Sequence, residues 1–311
     1  MTGAAACREI RIKKALATPS DQQSNRMDLS LIISTRDRCQ QLARCLQSLR
    51  SLVFERPWEL IVVDNGSTDT TSTVISDFIR NSGLRSVHVL EARSGKSVAL
   101  NTALKLAQGS ILAFTDDDCY PAPDFLHRTW CAFADPAIGY VTGRIMLHDP
   151  RDHGITINES TEALVFAPRS FIHAGAVIGA NMAFRREVLV QIGGFDTSFG
   201  PGAPLRAAED CETAARASAM GFKGEYRPEV VVRHHHGRKA SDAGKLWKSY
   251  GIGVGAYHMK LLLHAHEFWW FFHSVIQMPR RPKRVLLWEP FGAAKYVYLH
   301  LRGRLTQTRT L

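Results

Sequence analysis

Apolar residues in the first 120 positions fall into short β-branched runs separated by stretches of helical spacing. Leu29-Ser-Leu-Ile-Ile-Ser34 is a run of the kind that forms a buried strand. Behind it, Leu42, Cys45, Leu46 and Leu49 recur at intervals of three and one to four, which predicts a helix within Arg36–Arg50. The alternation repeats with strand Leu60–Val63 and a helix to about Asn81, then strand Val87–Leu90 and a helix over Gly95–Ala107. A fourth strand, Ile111–Phe114, ends in Thr115-Asp-Asp-Asp118. Four such alternations argue for a parallel sheet of the doubly wound kind, where ligands bind beyond the carboxyl ends of the strands. After Asp118 the pattern loosens: a helix near Phe125–Phe133, strands near Val141, Val177–Phe184 and Val230–Val232, and a helix from Asp210. Residues 1–27 have no period and read as a mostly disordered arm.

Composition leaves that picture standing. The chain has 311 residues, 22% charged and 45% hydrophobic, enough for one α/β domain with an extension. Its net charge of +10 would point to nucleic acid if it were evenly spread. It is not: residues 1–232 hold 25 Lys and Arg against 26 Asp and Glu, whereas residues 233–311 hold 14 against 3. An anionic partner is therefore expected at the C-terminal quarter. The six cysteines form no CxxC pair, which fits free thiols in a reducing cytosol. No signal peptide and no run of 18 apolar residues is seen, so no ordinary membrane span is expected.

The strongest chemical signal is Asp116-Asp117-Asp118. Three adjacent carboxylates repel one another, and a divalent cation relieves that cost. Extended geometry turns Asp116 and Asp118 to the same side, and hard oxygen ligands select Mg²⁺ or Mn²⁺. A solvated acidic loop is the plainer alternative. Asp64 stands at another strand end, where it can accept the imide N–H of a pyrimidine base; the turn Asp64-Asn-Gly-Ser67 also accounts for it as a simple helix start. Arg93-Ser-Gly-Lys96 opens a helix and is a candidate anion site. Glu209 and Asp210 begin another helix, whose N-terminus is expected to lower a carboxylate's pKa. In His234-His-His236 alternation puts His234 and His236 on one face, where one imidazole can join the aspartates around a cation.

Taken in order, these stretches resemble a family-2 glycosyltransferase of the GT-A fold across about residues 29–240. The matching runs are Leu31-Ile-Ile-Ser-Thr-Arg-Asp-Arg38, Leu60-Ile-Val-Val-Asp-Asn-Gly-Ser-Thr-Asp69, Gly95-Lys-Ser-Val-Ala-Leu-Asn101 and Phe114-Thr-Asp-Asp-Asp118. Gly179-Ala-Asn-Met-Ala-Phe184, Gly193-Gly-Phe-Asp196, Ala208-Glu-Asp210 and Pro228 through His234 follow. The resemblance implies a Rossmann-like mixed sheet flanked by helices and an enzyme that uses a nucleotide-sugar donor, an acceptor hydroxyl and Mg²⁺ or Mn²⁺, with inversion. It implies that Thr35, Arg36, Asp64, Arg93, Lys96, Asp116 and Asp117 bind the nucleotide-sugar, that Asp118 and His234 bind the metal, and that Asp210 is the general base. Residues 28–120 would form the nucleotide-binding half and 121–240 the acceptor half, with acceptor contacts in about 145–175 and 197–207. Ser34 departs from the family's usual proline, and Leu100 from a common arginine. Two rivals are a sugar-phosphate nucleotidylyltransferase and a non-catalytic binding protein on the same fold. The first has a Gly-rich loop after its first strand that Ser34-Thr-Arg-Asp37 lacks; the second should have lost the aspartates, which are present.

Residues 241–311 read as a helical extension. Leu246, Tyr250, Val254, Tyr257 and Leu261 give one apolar helical face, and packing on the catalytic domain is one use for it. A second apolar patch, Phe268–Phe272, and the basic run Arg280–Arg284 fit a headgroup layer better. The expectation is a cytoplasmic protein, peripheral on the inner face of the membrane, with a glycan or lipid-linked acceptor, an anionic membrane surface bound through residues 240–311, and no nucleic acid.

Overall fold

The computed structural model describes residues 12–13, 27–263, 269, 272 and 283–303. The predicted alternation is realised. Strands β1 (Ile12–Lys13), β2 (Leu29–Thr35), β3 (Trp58–Asp64), β4 (Ser86–Leu90) and β5 (Ile111–Asp116) lie in the order β1-β4-β3-β2-β5, and β2–β5 are mutually parallel. Helices α1 (Cys39–Ser48), α2 (Thr71–Ser82) and α3 (Lys96–Leu106) connect them. Strand β1 pairs with β4 in a segment expected to lack structure; the rest of residues 1–26 lies outside the described residues.

Every second residue of β2 faces a different core. Leu29, Leu31 and Ile33 pack with α1 and α2, whereas Ile32 packs with α3 and the helices that follow. Burial on both faces explains why these strands read as continuous apolar runs rather than alternating ones.

Past β5 the sheet turns mixed, which is where the parallel expectation stops. Elements β6 (Cys119–Pro121), α4 (Phe125–Ala132), β7 (Ile138–Leu147), β8 (Leu164–Phe166), β9 (Asn181–Arg185), α5 (Arg186–Gln191), α6 (Glu209–Ala219) and β10 (Lys223–His234) follow. The order continues β5-β9-β7-β10-β6, with β9 antiparallel to both β5 and β7, β7 parallel to β10, and β10 antiparallel to β6. Residues 177–180, expected as strand, are a turn that leads into β9.

Among the described residues, helices α7 (Ala243–Leu263), α8 (Lys283–Leu286) and α9 (Glu289–Leu301) follow. Tyr257 and Leu261 of α7, and Tyr296 and Leu299 of α9, belong to the same core as Ile32 and Phe114. Close approach requires glycine here: a Cβ on Gly253 would stand 2.7 Å from the Ala207 carbonyl oxygen. A buried cation fastens α7 to α6. Lys260 Nζ lies 2.5 Å from Glu212 Oε1 and 2.9 Å from Asp196 Oδ2, and Glu212 also pairs with Arg216. Removing one partner of such a group strands buried charge, at about 3–5 kcal/mol. Helix α7 therefore helps fix the helix whose first turn carries Glu209 and Asp210.

Candidate active site

The carboxyl ends of the parallel strands form one edge. Thr35 pairs with Asp64 across β2–β3, and Ser34 with Asp116 across β2–β5, so the polar residues that end each run stand side by side. Beyond them opens a cavity of about 670 Å³, lined by Thr35, Arg36, Arg38, Asn65, Lys96, Asp116–Asp118, Glu209, Asp210 and His234.

Asp118 meets His234 because of strand pairing. Cys119 is opposite His234 in β6–β10, and the His235 amide donates to the Asp118 carbonyl (2.8 Å). His234 Nε2 then lies 3.1 Å from Asp118 Oδ1, while Arg38 reaches Asp118 Oδ2 at 2.5 Å and Asp117 Oδ1 at 3.0 Å. Thr35 Oγ1 donates to Asp117 Oδ2 (2.6 Å). Burial pushes Asp117 up to about 6 against the pull of Arg38. Burial also opposes ionisation of Asp118, but His234 and Arg38 outweigh it and hold Asp118 well below the carboxylate range. Asp118, Cys119 and His234 cluster closely enough for one ligand atom from each to share an ion. A carboxylate oxygen with an imidazole nitrogen is a donor set that suits a divalent cation.

Across the cavity, burial and mutual repulsion raise Glu209 to about 7, and burial raises Asp210 although the Cys211 and Gly179 amides donate to it. The helix N-terminus was expected to lower these groups; desolvation wins because α6 starts inside the fold. Gly179 allows the approach, since a Cβ there would sit 3.1 Å from Lys96 Nζ. Lys96 bridges the two sides, 2.5 Å from Asp116 Oδ1 and 3.7 Å from Glu209 Oε1. Burial opposes its charge, yet Asp116, Glu209 and Asp210 hold its pKa above the ordinary lysine value.

The remaining expected residues take other places. Asp64 is buried beside the cavity rather than lining it, with its oxygens accepting from the Ser67 amide (2.8 Å) and Ser72 Oγ (2.6 Å). Asn65 lines the cavity and clamps the loop 91–95 through Glu91, Arg93 and Gly95 backbone atoms. Arg93 is a correction: it lines a different depression, because its guanidinium turns back onto Glu91 (2.8 and 2.9 Å). Arg36 bonds Ser94 Oγ (2.8 Å) at the rim. His235 faces away to Tyr120 (2.9 Å). Sequence reasoning gave no role to Arg38, whose place three residues after Thr35 was the available signal. It also missed Trp247 and Tyr250, which reach the cavity from α7.

The sequence profile described as Glycosyl transferase family 2 matches residues 30–193, more than half of the chain. The chain belongs to glycosyl transferase family 2. Among curated relatives of this glycosyltransferase, glycosyltransferase AglE of Haloferax volcanii is 24% identical over 238 residues, covering 75% of this chain and 74% of that one. The O-antigen chain rhamnosyltransferase RfbN of Salmonella typhimurium is 28% identical over 218 residues, covering 68% and 67%. Among solved structures, the mannosyltransferase PcManGT of Pyrobaculum calidifontis, in complex with GDP-Man and Mn²⁺, aligns with a TM-score of 0.62 at 24% identity, over 90% of this chain and 76% of that one. S. aureus TarS 1–349 in complex with UDP-GlcNAc aligns with a TM-score of 0.59 at 16% identity, over 89% and 93%. The GT-A fold follows from these likenesses.

Proposed function

We propose that this glycosyltransferase moves a sugar from a nucleoside-diphosphate donor to a hydroxyl of a glycan or lipid-linked acceptor, by single displacement with inversion and with Mn²⁺ or Mg²⁺ bound. The observation that carries this reading is the meeting, in one cavity, of Asp116–Asp118 and His234 with Glu209 and Asp210, Lys96 standing between them. Asp118 and His234 hold the cation, and the imidazole favours Mn²⁺ over Mg²⁺, which prefers oxygen ligands throughout. When bound, the cation neutralises charge on the departing diphosphate. Lys96 contributes a fixed positive charge on the same side. Thr35, Arg36, Asp116 and Asp117 position the nucleoside and sugar, Asp64 acts behind them by holding the Ser67 turn, and Asp210 takes the acceptor proton. The complexes of PcManGT with GDP-Man and Mn²⁺ and of TarS with UDP-GlcNAc support a nucleotide-sugar donor. The names of AglE and RfbN support a place in glycan assembly.

A thermal-shift series with UDP-, dTDP- and GDP-sugars, with and without Mn²⁺, tests the reading. One donor class should raise Tm only when the cation is present. No shift with any of them counts against it.

We also propose that the C-terminal helices dock on an anionic membrane from the cytosolic side. No described helix is long and apolar enough to cross one. Phe291, Tyr298 and Leu301 share a face of α9 by their spacing, and they and Leu287 are exposed, with Lys283, Arg284 and Arg302 nearby. Of the earlier patch, Trp269 and Phe272 are exposed; Phe268, Trp270, Phe271 and Arg280–Pro282 lie outside the described residues. The full chain should sediment with anionic liposomes at low salt and release as salt rises. Recovery in the supernatant at low salt would rule out the membrane role.

A further inference from the structure

The cavity has two chemically different walls. The sheet edge presents Thr35, Asn65, Lys96 and the aspartates, which match ribose, diphosphate and cation. The opposite wall comes from the C-terminal helices: Trp247, Tyr250 and Val254 of α7, and Val285 of α8. Residues 247, 250 and 254 are three and four apart and so share one helical face. The rest of α7 is spent on packing, through Gly253 against Ala207, Tyr257 farther along on the Ile172 carbonyl (2.8 Å) and Lys260 with Glu212. The face that carries the two aromatics is turned to the cavity instead, with both side chains only half-buried. Trp247 is steadied edge-on by the His153 ring, at 6.2 Å and 79°.

We infer that Trp247 and Tyr250 form the acceptor subsite, a stacking wall for a pyranose ring of a glycan acceptor. This rests on the glycosyl-transfer reading and says where in that cavity the acceptor lies. A pyranose carries a C–H-rich face and a rim of hydroxyls. An aromatic face attracts the first, because its negative π-cloud meets polarised C–H bonds. The rim needs donors and acceptors at the edge of that wall, and Arg206 and Arg238 also line the cavity. A diphosphate gains little from indole and phenol faces, whereas Lys96 and a cation serve it at the other wall. Glu209 and Asp210 line the same cavity, so a ring resting on this wall shares it with the proposed base.

The test uses the full-length protein, labelled UDP-, dTDP- and GDP-sugars, and membranes of the producing cells as the acceptor source. Donor affinity is read by calorimetry, and transfer by label incorporated into the membrane glycan. Trp247→Ala should lower incorporation at subsaturating membranes at least tenfold while donor Kd stays within twofold, and Trp247→Phe, which keeps a stacking face, should recover most of it. Donor Kd weakened in step with incorporation would overturn the inference and assign the wall to the nucleobase, which also stacks on aromatics. Unchanged incorporation in Trp247→Ala would overturn it as well. If wild type binds none of the three donor classes, the glycosyl-transfer reading itself fails, and that shows before any variant is made.

Discussion

Asp210→Asn should lower kcat by about 10²–10⁴-fold while leaving donor affinity nearly intact. The amide keeps the shape of the side chain, and its oxygen can still accept from the Gly179 or Cys211 backbone N–H, so the start of α6 should hold. What is lost is the capacity to take a proton. The pH profile carries a second signature. Burial and repulsion from Asp210 set Glu209 at about 7, and Asp210 is itself raised. The pair titrates together, so the acid limb of kcat/KM in wild type belongs near neutrality rather than at ordinary carboxylate pH, with activity rising as pH climbs through it. In Asp210→Asn the repulsion is gone, and what acid limb remains should move to lower pH. The same groups make the folded state the stronger proton binder between about pH 4.5 and 7, so their contribution to stability is present below that window and is lost as pH rises through it. Calorimetric titration of donor into the variant decides between base and binding roles: collapsed donor affinity would make Asp210 a binding or structural residue.

Asp118→Asn should abolish cation-dependent transfer, a loss of about 10³-fold or more, and excess EDTA should do the same to wild type. The cause is chemical rather than structural. The amide that replaces the Asp118 carboxylate can still meet Arg38 and His234, so the melting temperature should change by only a few degrees, but its neutral oxygen is a poor ligand for a divalent cation. His234→Ala should raise the cation concentration needed for half-maximal rate, whereas His235→Ala should not, since His235 bonds Tyr120 on the far side of β10. Full transfer by Asp118→Asn, or by wild type in EDTA, would remove the cation from the account.

The part of the sheet up to Asp118 is legible because its information is local. The apolar runs of β2, β3 and β5 are buried on both faces and end in polar residues, so Thr35, Asp64 and Asp116–Asp118 can be placed at one edge by reading along the chain. The second half depends on pairings distant in sequence. β6 and β8 are three residues each, too short for any period to show, and the ten- and twelve-residue strands β7 and β10 turn the sheet so that residue 234 meets residue 118. Alternation sorted the three histidines correctly into faces because that question is local. Arg93 and Lys96 flank the same helix start, and which of them enters the cavity is decided by Glu91, whose carboxylate captures Arg93. The pKa of the Glu209–Asp210 pair could not be read from the helix N-terminus, because the depth of that terminus is set by the loops and the C-terminal helices around it. The helical spacing of α7 was visible too, but not that its face is divided, Tyr257 and Leu261 toward the core and Tyr250 and Val254 toward the cavity.

Product analysis separates sugar transfer from its rivals in one assay. With the donor identified by thermal shift, Mn²⁺ and membranes of the producing cells, one nucleoside diphosphate should be released for each sugar transferred, and proton NMR should show a new glycosidic bond of the opposite anomeric configuration to the donor. Pyrophosphate-dependent conversion of the donor to a nucleoside triphosphate and a sugar 1-phosphate, with no sugar transferred, would instead make the protein a nucleotidylyltransferase. Retained configuration would contradict a single displacement assisted by Asp210.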